Sequence, residues 1–155
     1  ARPTYLESLV ETATVPESQR YEYQFTVWPN KVTGTPHFGV NHQLFDIQAG
    51  ANHTMAVGSV QEWEISTGFY GFDCPVERCH KMNHPFHMHG THFQVIKENT
   101  NGLLYEVGEW RDTIPIFSDT VAIRFKPLHV GRVLTHCHVV AHADGGMAQM
   151  IDVVN

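Results

Sequence analysis

Short segments of alternating apolar and polar residues, separated by turn residues, run through most of this sequence. The pattern begins at Tyr21, where Tyr21, Tyr23, Phe25 and Val27 alternate with polar residues, a period of two that indicates a β-strand. The same pattern predicts short strands at Phe38–Val40, Gln43–Ile47, Met55–Val57, Val60–Ile65, Phe93–Lys97, Leu103–Val107, Thr120–Phe125, Arg132–His138 and Met147–Val153. No long amphipathic helix is predicted. Many short strands at this spacing favour an all-β fold, a sandwich or barrel of antiparallel strands.

One shift in composition divides the chain. Residues 1–19 are polar, contain two prolines and have no sustained period, so we interpret them as a linker or N-terminal arm. Residues 20–155 are predicted to form one folded domain, since 155 residues fit the usual domain size of about 100–200 residues. A hydrophobic share of 42% against 17% charged residues is typical of a globular protein with a sizeable core.

Charge and hydropathy exclude two classes of partner. The net charge is −6 and there is no run of lysines or arginines, which argues against binding to nucleic acid or to an anionic membrane surface. No segment approaches the ~18 consecutive apolar residues of a membrane span. The sequence starts at Ala1 with no Met and no apolar signal segment, so we expect that a signal was removed or that this is a piece of a longer protein. The sequon Asn52-His53-Thr54 would permit N-glycosylation, and we expect a secreted protein, or a periplasmic one if it is bacterial.

The three cysteines fall into two groups. Cys74 and Cys79 bracket a short loop that contains a proline, and they are expected either to form a disulfide or to remain two unpaired thiols. Cys137 stands apart between two histidines. An odd cysteine of this kind indicates a reactive or metal-bound thiol.

Histidine is the anomaly in the composition. Twelve histidines outnumber the ten lysines and arginines together. Six of them lie in two short clusters, His84-Pro85-Phe86-His87-Met88-His89-Gly90 and His136-Cys137-His138 followed by His142 and Met147. Side chains two apart in a strand share a face. His136 and His138 therefore share one face and Cys137 takes the other. By the same parity His87 and His89 share a face that His84 can oppose, although Pro85 makes this first strand irregular.

Two adjacent strands with this pattern would create two sites back to back. On one face, His84 and Cys137 would meet His142 and Met147 from the following loop. Two imidazoles, a thiolate and a weak thioether are the ligands of a blue-copper electron-transfer site. On the other face, four imidazoles suit copper that reacts with oxygen; they belong to His87, His89, His136 and His138.

The spacing also predicts a connection between these sites. Cys137 would be a ligand on one side and is bonded through the backbone to His136 and His138 on the other. An electron accepted at the thiolate site could therefore reach the second site through a few covalent bonds, and each strand residue spans only ~3.3 Å. Cys137, His136 and His138 are accordingly the predicted catalytic residues.

Other interpretations remain for single histidines and for the metal. A lone histidine in a strand is more often a surface or hydrogen-bonded residue than a ligand, which applies to His37, His42, His53, His80, His92 and His129. Zinc also binds histidine and cysteine readily. The single cysteine with a methionine after it, and the four further imidazoles, favour copper over zinc.

The two clusters resemble motifs of the multicopper oxidase family. His84 to Gly90 is similar to the HPxHxHG motif, and His136 to Met147 is similar to HCHxxxHxxxxM. The stretches Trp110-Arg111-Asp112-Thr113 and Val121–Phe125 also resemble the last domain of laccases. The resemblance covers roughly residues 20–155 and implies a C-terminal cupredoxin domain, a Greek-key β-sandwich or barrel. Asp112 is interpreted as structural, paired with an arginine.

Carried over residue by residue, the resemblance implies a complete set of type 1 copper ligands: His84, Cys137, His142 and Met147. It implies that His87 binds type 2 copper and that His89, His136 and His138 bind the type 3 pair. A methionine at position 147 implies a weak axial ligand that lowers the reduction potential.

The family's oxygen-reducing cluster takes about eight histidines, half of them from an N-terminal cupredoxin domain as two His-x-His pairs. This chain has no spare His-x-His pair, so the type 2 and type 3 sites are expected to be half-sites. The missing histidines would come from a partner domain of the same precursor or of another chain. The implied activity is a laccase-like oxidation of phenolic or related small molecules, one electron at a time, coupled to reduction of O2 to water.

Two other functions are considered. A stand-alone blue-copper electron carrier would have no use for four further imidazoles. Copper nitrite reductase fits less well, because its type 1 cysteine is followed by no second cluster histidine. One copper per chain without oxygen consumption would favour a carrier or an isolated fragment, and four per assembled unit would favour the oxidase.

Overall fold

The computed structural model describes residues 6–12, 14–73, 82–97, 104–117 and 120–155. Regular structure in this part of the chain is mostly strand: β1 (Arg20–Pro29), β2 (Pro36–Val40), β3 (His53–Ala56), β4 (Gln61–Phe69), β5 (Phe86–Met88), β6 (Phe93–Lys97), β7 (Trp110–Arg111), β8 (Thr113–Ile114), β9 (Val121–Phe125), β10 (Gly131–Cys137) and β11 (Ala148–Val154). One turn of 3₁₀ helix, Glu17–Gln19, precedes β1, and a short helix α1, Val140–Asp144, follows β10. None of the helices in the described ranges is long and apolar enough to span a membrane.

The strands form two sheets. Among the described residues the first sheet has the order β2-β1-β4-β9-β6-β7, and the second has the order β3-β11-β10-β5-β8. The pairs β1–β4 and β11–β3 are parallel, whereas β10 is antiparallel to both of its neighbours. The predicted all-β fold is therefore confirmed, although these two pairs are parallel where antiparallel strands were expected.

Aromatic side chains fill the space between the sheets. Tyr23, Phe25 and Val27 of β1 are fully buried, as their alternation predicted. Phe86 of β5 packs edge-on against Tyr23 at a centroid distance of 5.0 Å, which connects the second sheet to the first. Burying each large apolar side chain contributes about 1.5–3 kcal/mol, so this layer is a main source of stability and a rigid support for β5.

The strand predicted at Gln43–Ile47 is wrong. Val40 and Gln43 pair with each other across a tight turn in which Asn41 and His42 have φ values of 50° and 59°. The chain then leaves the sheet, and the amide of Phe45 donates to the carbonyl oxygen of Gly146. The amide of His42 donates to the buried hydroxyl of Thr26 at 3.0 Å. Thr26 is distant in sequence, so an alternating pattern cannot reveal this turn.

Other boundaries also differ from the prediction. A strand was predicted at Leu103–Val107, but residues 104–107 form turn and loop. The side chain of Tyr105 in this segment is buried. The strand predicted at Val60–Ile65 extends to Phe69, and β10 ends at Cys137. The short strands β7 and β8 were not predicted, since two residues show no period, whereas β5 lies within the irregular strand predicted for the His84–Gly90 cluster. Cys74 and Cys79, with the turn predicted at Asn101-Gly102, lie outside the described residues.

The described part of the N-terminal arm packs on the first sheet. Leu6, Leu9 and Val15 are buried, and the amide of Leu9 donates to Gln94 Oε1 at 2.6 Å. The guanidinium of Arg124 donates to the carbonyl oxygens of three arm residues, Leu9, Val10 and Thr12. This contact brings the arm beside the face of β5 that carries the predicted imidazole site.

Candidate metal centre

Strand β10 places the Cys137 thiol and the neighbouring imidazoles on opposite faces. In the register between β10 and β5, His136 is opposite His87 and Cys137 is opposite Phe86. Cys137 is buried, His136 is partly exposed and His138 is exposed. The strand's period of two therefore separates a buried thiol from imidazoles that lie on the outer face.

The first group of donor atoms surrounds the thiol. Cys137 Sγ lies 3.8 Å from His84 Nδ1 and 3.7 Å from His142 Nδ1. These three donor atoms all lie within 4.8 Å of one another. His84 comes from the loop before β5 and His142 from α1, so two segments that flank the sheet close around the end of β10.

Met147 belongs to the same buried environment. Its side chain is fully buried in the core cluster that also contains Cys137. Its carbonyl oxygen accepts the amide of Cys137 at 3.0 Å, and its own amide donates to the carbonyl oxygen of His142, also at 3.0 Å. Backbone hydrogen bonds thus connect Met147 to Cys137 and to His142.

Burial shifts the pKa values of all three donors towards their neutral forms. Burial, with a smaller repulsive contribution from His142, lowers the pKa of His84 to about 4. Burial also lowers the pKa of His142 and raises the pKa of the Cys137 thiol to about 11. Both imidazoles are therefore neutral near pH 7, with lone pairs free to coordinate, whereas the thiol needs a nearby positive charge to ionise. A bound metal ion provides that charge, and two imidazoles with a thiolate and a thioether match copper.

The second group lies on the outer face. His89 Nε2 and His136 Nε2 are 3.1 Å apart, and the donor atoms of His87, His89 and His136 all lie within 4.8 Å of one another. His138 is not in this group, but its ring lies 5.3 Å from that of His87 and 5.9 Å from that of His136, measured between centroids. Burial and the three neighbouring imidazoles lower the pKa of His89, which favours the neutral, coordinating form.

Hydrogen bonds fix which nitrogen faces the centre of this group. His87 Nδ1 is 2.9 Å from both the Asp112 carbonyl oxygen and the Thr113 hydroxyl. His136 Nδ1 donates to the carbonyl oxygen of Cys137 at 2.9 Å. Because Nδ1 of His87 and of His136 is held by the protein, the Nε2 atom of each ring is the one that could coordinate a metal. This is the usual arrangement of histidine ligands.

Some contacts of the site were not predicted. The Asp112 backbone, rather than its carboxylate, supports His87, and no ion pair of Asp112 with an arginine is found among the described residues; Arg111 pairs with Glu109. Phe38 stacks face to face on the ring of His142. No sequence motif predicts these contacts. The contact of His87 uses a backbone carbonyl oxygen, and the contact of Phe38 with His142 joins residues that are far apart in sequence.

A cavity of about 700 Å³ lies over the outer group. It is lined by His87 and His89, by Leu6 and Leu9 of the arm, and by Trp110 and Leu128. The imidazoles therefore face open space, whereas the thiol group is enclosed.

Comparison with known proteins identifies the family. The sequence model described as multicopper oxidase matches residues 12–155. A multicopper oxidase of Staphylococcus haemolyticus is 34% identical over 119 residues, which are 75% of this chain and 24% of that protein. A laccase of Trametes maxima is 35% identical over 71 residues, which are 42% of this chain and 14% of that protein.

Solved structures give the same result. The multicopper oxidase of Pediococcus acidilactici superposes with a TM-score of 0.71 at 28% identity, over 92% of this chain and 28% of that one. The chain spans about a quarter of the length of the first multicopper oxidases that it matches. The two-sheet architecture is the cupredoxin fold of these proteins, and the family match over almost the entire chain shows that this protein belongs to the multicopper oxidase family.

Proposed function

We propose that this chain is the C-terminal copper-binding domain of a laccase-like oxidase. The proposed type 1 copper ligands are His84, Cys137, His142 and Met147. The proposed ligand of type 2 copper is His87, and those of the type 3 pair are His89, His136 and His138. When bound, copper supplies one-electron redox chemistry at the thiol site and four-electron reduction of O2 to water at the imidazole site.

One observation carries this proposal. Cys137 Sγ lies within 4 Å of two imidazole nitrogens on the inner side of β10, while the adjacent His136 belongs to a separate imidazole group on the outer side. A single structural metal site would require only one of these groups. Two groups that share adjacent residues of one strand support an electron relay.

Cys137 and its neighbours supply the path for that relay. The backbone bonds Cys137 directly to His136 and His138, so a few covalent bonds separate the thiol from both imidazoles. The hydrogen bond from His136 Nδ1 to the Cys137 carbonyl oxygen offers a second, shorter path from the same residue. Both paths start in β10, a central strand of the second sheet. The distance between the Cys137 thiol and the imidazoles is therefore held constant.

Exposure favours His142 as the point where the reductant delivers electrons. His84 is only 2% exposed, whereas His142 is partly exposed on α1. An aromatic reductant could approach the imidazole of His142 without displacing any side chain of the core. Phenolic or related small molecules, giving up one electron each, are the proposed reductants.

The imidazole group supports the proposal of a partner domain. His87, His89 and His136 converge beside a cavity that is open on one side, and the chain spans about a quarter of its first curated relatives. We propose that an N-terminal cupredoxin domain, of the same precursor or of another chain, supplies the remaining histidines. A stand-alone blue-copper carrier is the second candidate. It is less well supported, because a carrier has no use for a second group of converging imidazoles.

A double variant of the imidazole group tests the function in the assembled protein. His87→Ala with His89→Ala should abolish oxygen consumption while the blue absorption of the Cys137 site remains, because the two groups lie on opposite faces of β10. Cys137→Ser should abolish the blue absorption as well. Lys31→Ala, at an exposed residue of the turn between β1 and β2, is the control and should preserve both signals.

Metal analysis separates oxidase from carrier. Four coppers per assembled unit support the oxidase, and one copper without oxygen consumption supports the carrier. Loss of the blue absorption in the His87 and His89 double variant would contradict the assignment of the two faces.

We also propose a secreted or periplasmic location. The sequon at Asn52 and the cysteine pair of the 74–79 loop are compatible with an oxidising compartment. Fractionation of the producing cells, with detection of the protein in the cytosolic fraction alone, would contradict it.

A further inference from the structure

The ring of His142 is covered on one face by Phe38. The two ring centroids are 4.2 Å apart and the planes differ by 11°. This is closer and more nearly parallel than most aromatic pairs, whose centroids lie about 4.5–7 Å apart. Phe38 belongs to β2 at the edge of the first sheet, whereas His142 follows the second sheet, so the contact bridges the two layers.

The helix that carries His142 is short, and its hydrogen bonds hold the backbone rather than the imidazole ring. Helix α1 has only five residues, and no side chain caps its N-terminus. The Nδ1 atom of His142 faces Cys137 Sγ at 3.7 Å, while the ring remains partly exposed. A partly exposed imidazole on a single helical turn has free rotation about its side-chain bonds unless a neighbour restricts it.

His84 does not need such a partner. It is buried, its amide donates to the carbonyl oxygen of Ile116 at 2.9 Å, and its ring lies against Phe25 within the core. The two histidines that face the thiol are therefore held in different ways, one by burial and the other by a stacked ring.

Phe38 is itself held firmly in place. It pairs with Val27 across β1 and β2 and packs against the core cluster. The neighbouring Gly39 has no room for a side chain, since a Cβ there would lie 2.3 Å from the Gln43 carbonyl oxygen and 2.7 Å from the Trp28 ring. The backbone at this position is therefore closely packed against its neighbours.

From these contacts we propose that Phe38 is a positioning residue for the metal centre. Its ring stacks on His142 and holds the imidazole with Nδ1 directed at Cys137, so that the partly exposed ligand is preorganised. The inference rests on the proposed function, because it takes His142 as a copper ligand.

Copper retention and the blue absorption band in the assembled protein test this role. Phe38→Met keeps the volume of the side chain and removes the ring. In protein reduced with ascorbate, the Cu(I) held at the Cys137 site should then be lost to a chromophoric Cu(I) chelator about two- to tenfold more readily, the range that corresponds to one aromatic pair. The blue band should shift or broaden, because the imidazole of His142 would occupy more than one orientation. Phe38→Tyr keeps the ring and should restore both properties.

Phe69→Leu is the matched control. Phe69 is also partly buried against the core, lies two strands away from β2 and has its ring tilted against that of Phe72. It should lower stability without changing copper retention or the band. If Phe38→Met does not fold, Phe38→Leu, which also removes the ring, decides the question.

The outcomes separate this inference from the proposed function. The absence of a blue band in the unsubstituted, copper-loaded protein would overturn the proposed function. A normal blue band there, with Phe38→Met matching Phe69→Leu in copper retention and spectrum, would overturn only the role of Phe38.

Discussion

Replacing Arg124 by methionine should loosen the N-terminal arm and destabilise the whole domain. The guanidinium binds Glu62 Oε2 through Nε at 2.8 Å and through a terminal nitrogen at 2.7 Å. Its other terminal nitrogen donates to the carbonyl oxygens of Leu9 and Thr12 at 2.9 Å and of Val10 at 3.2 Å. Methionine retains most of the apolar stem and removes all five contacts.

The magnitude follows from the exposure of the ion pair. Breaking a fully buried pair costs about 3–5 kcal/mol, and an exposed pair contributes about 0–1 kcal/mol. The side chains of Arg124 and Glu62 are 12% and 17% exposed, and Arg20 remains 3.6 Å from Glu62 in the variant. We therefore expect a loss of about 2–4 kcal/mol, most of it from the unpaired carboxylate and carbonyl groups. At about 2–4 °C per kcal/mol for a domain of this size, Tm should fall by roughly 5–15 °C.

Two assays measure this change. Urea denaturation reports the free energy of unfolding, and the slope of that transition should stay constant because the surface exposed on unfolding is nearly the same. Amide hydrogen exchange reports the arm directly, since the amide of Leu9 is held by Gln94. Exchange of residues 6–12 should accelerate far more than exchange of β10.

Arg132→Met is the matched control. Arg132 also pairs with a carboxylate, that of Asp152 at 3.1 Å, but the two side chains are 58% and 34% exposed. Its loss should cost at most about 1 kcal/mol. The reasoning fails if Arg124→Met costs no more than Arg132→Met, or if exchange in the arm is unchanged.

Three further changes have defined outcomes. Gly39→Ala should destabilise the protein by about 1–3 kcal/mol in urea denaturation, because the added Cβ would lie 2.3 Å from the Gln43 carbonyl oxygen, a backbone atom. His53→Phe should reduce the fall in stability with decreasing pH below about pH 6.5, since burial lowers the pKa of His53 and the unfolded chain takes up a proton that the folded one excludes. The reduction is the contribution of one histidine, less than about 1.4 kcal/mol per pH unit, while Phe keeps the stacking on Tyr21. Met147→Leu should raise the reduction potential of the copper-loaded protein in voltammetry, because a weak axial ligand is removed.

Each of these changes has its own check. Gly34 has open space around it and a φ of +71°, a conformation that asparagine adopts with less strain than other side chains, so Gly34→Asn should cost less than Gly39→Ala. His129→Phe, at an exposed position, should leave the acid-side slope as it is in the wild type. An unchanged potential in Met147→Leu would remove methionine from the proposed ligand set, and an unchanged acid-side slope in His53→Phe would contradict the role of His53.

Local alternation predicted the strand faces well where both faces have a clear chemical character. Tyr23, Phe25 and Val27 are buried as expected, and the buried thiol of Cys137 lies between two more exposed histidines. The same rule failed at Gln43–Ile47. There the Asn41–His42 turn, held by a hydrogen bond from the His42 amide to the distant Thr26, diverts the chain out of the sheet.

The chemistry of the donors is a property of the sequence alone. A cysteine flanked by histidines in a strand must present thiol and imidazole to opposite sides, because consecutive side chains alternate and no distant contact is needed for that. Which donors converge is a property of the tertiary structure. His84 reaches Cys137 across 53 residues because β5 pairs with β10, and Phe38 reaches His142 because the edge of one sheet meets the helix that follows the other. His138 lies beside the outer imidazole group without joining it. Residues that are far apart in sequence meet only through sheet order and loop path, which depend on the packing of the entire chain and not on any local period.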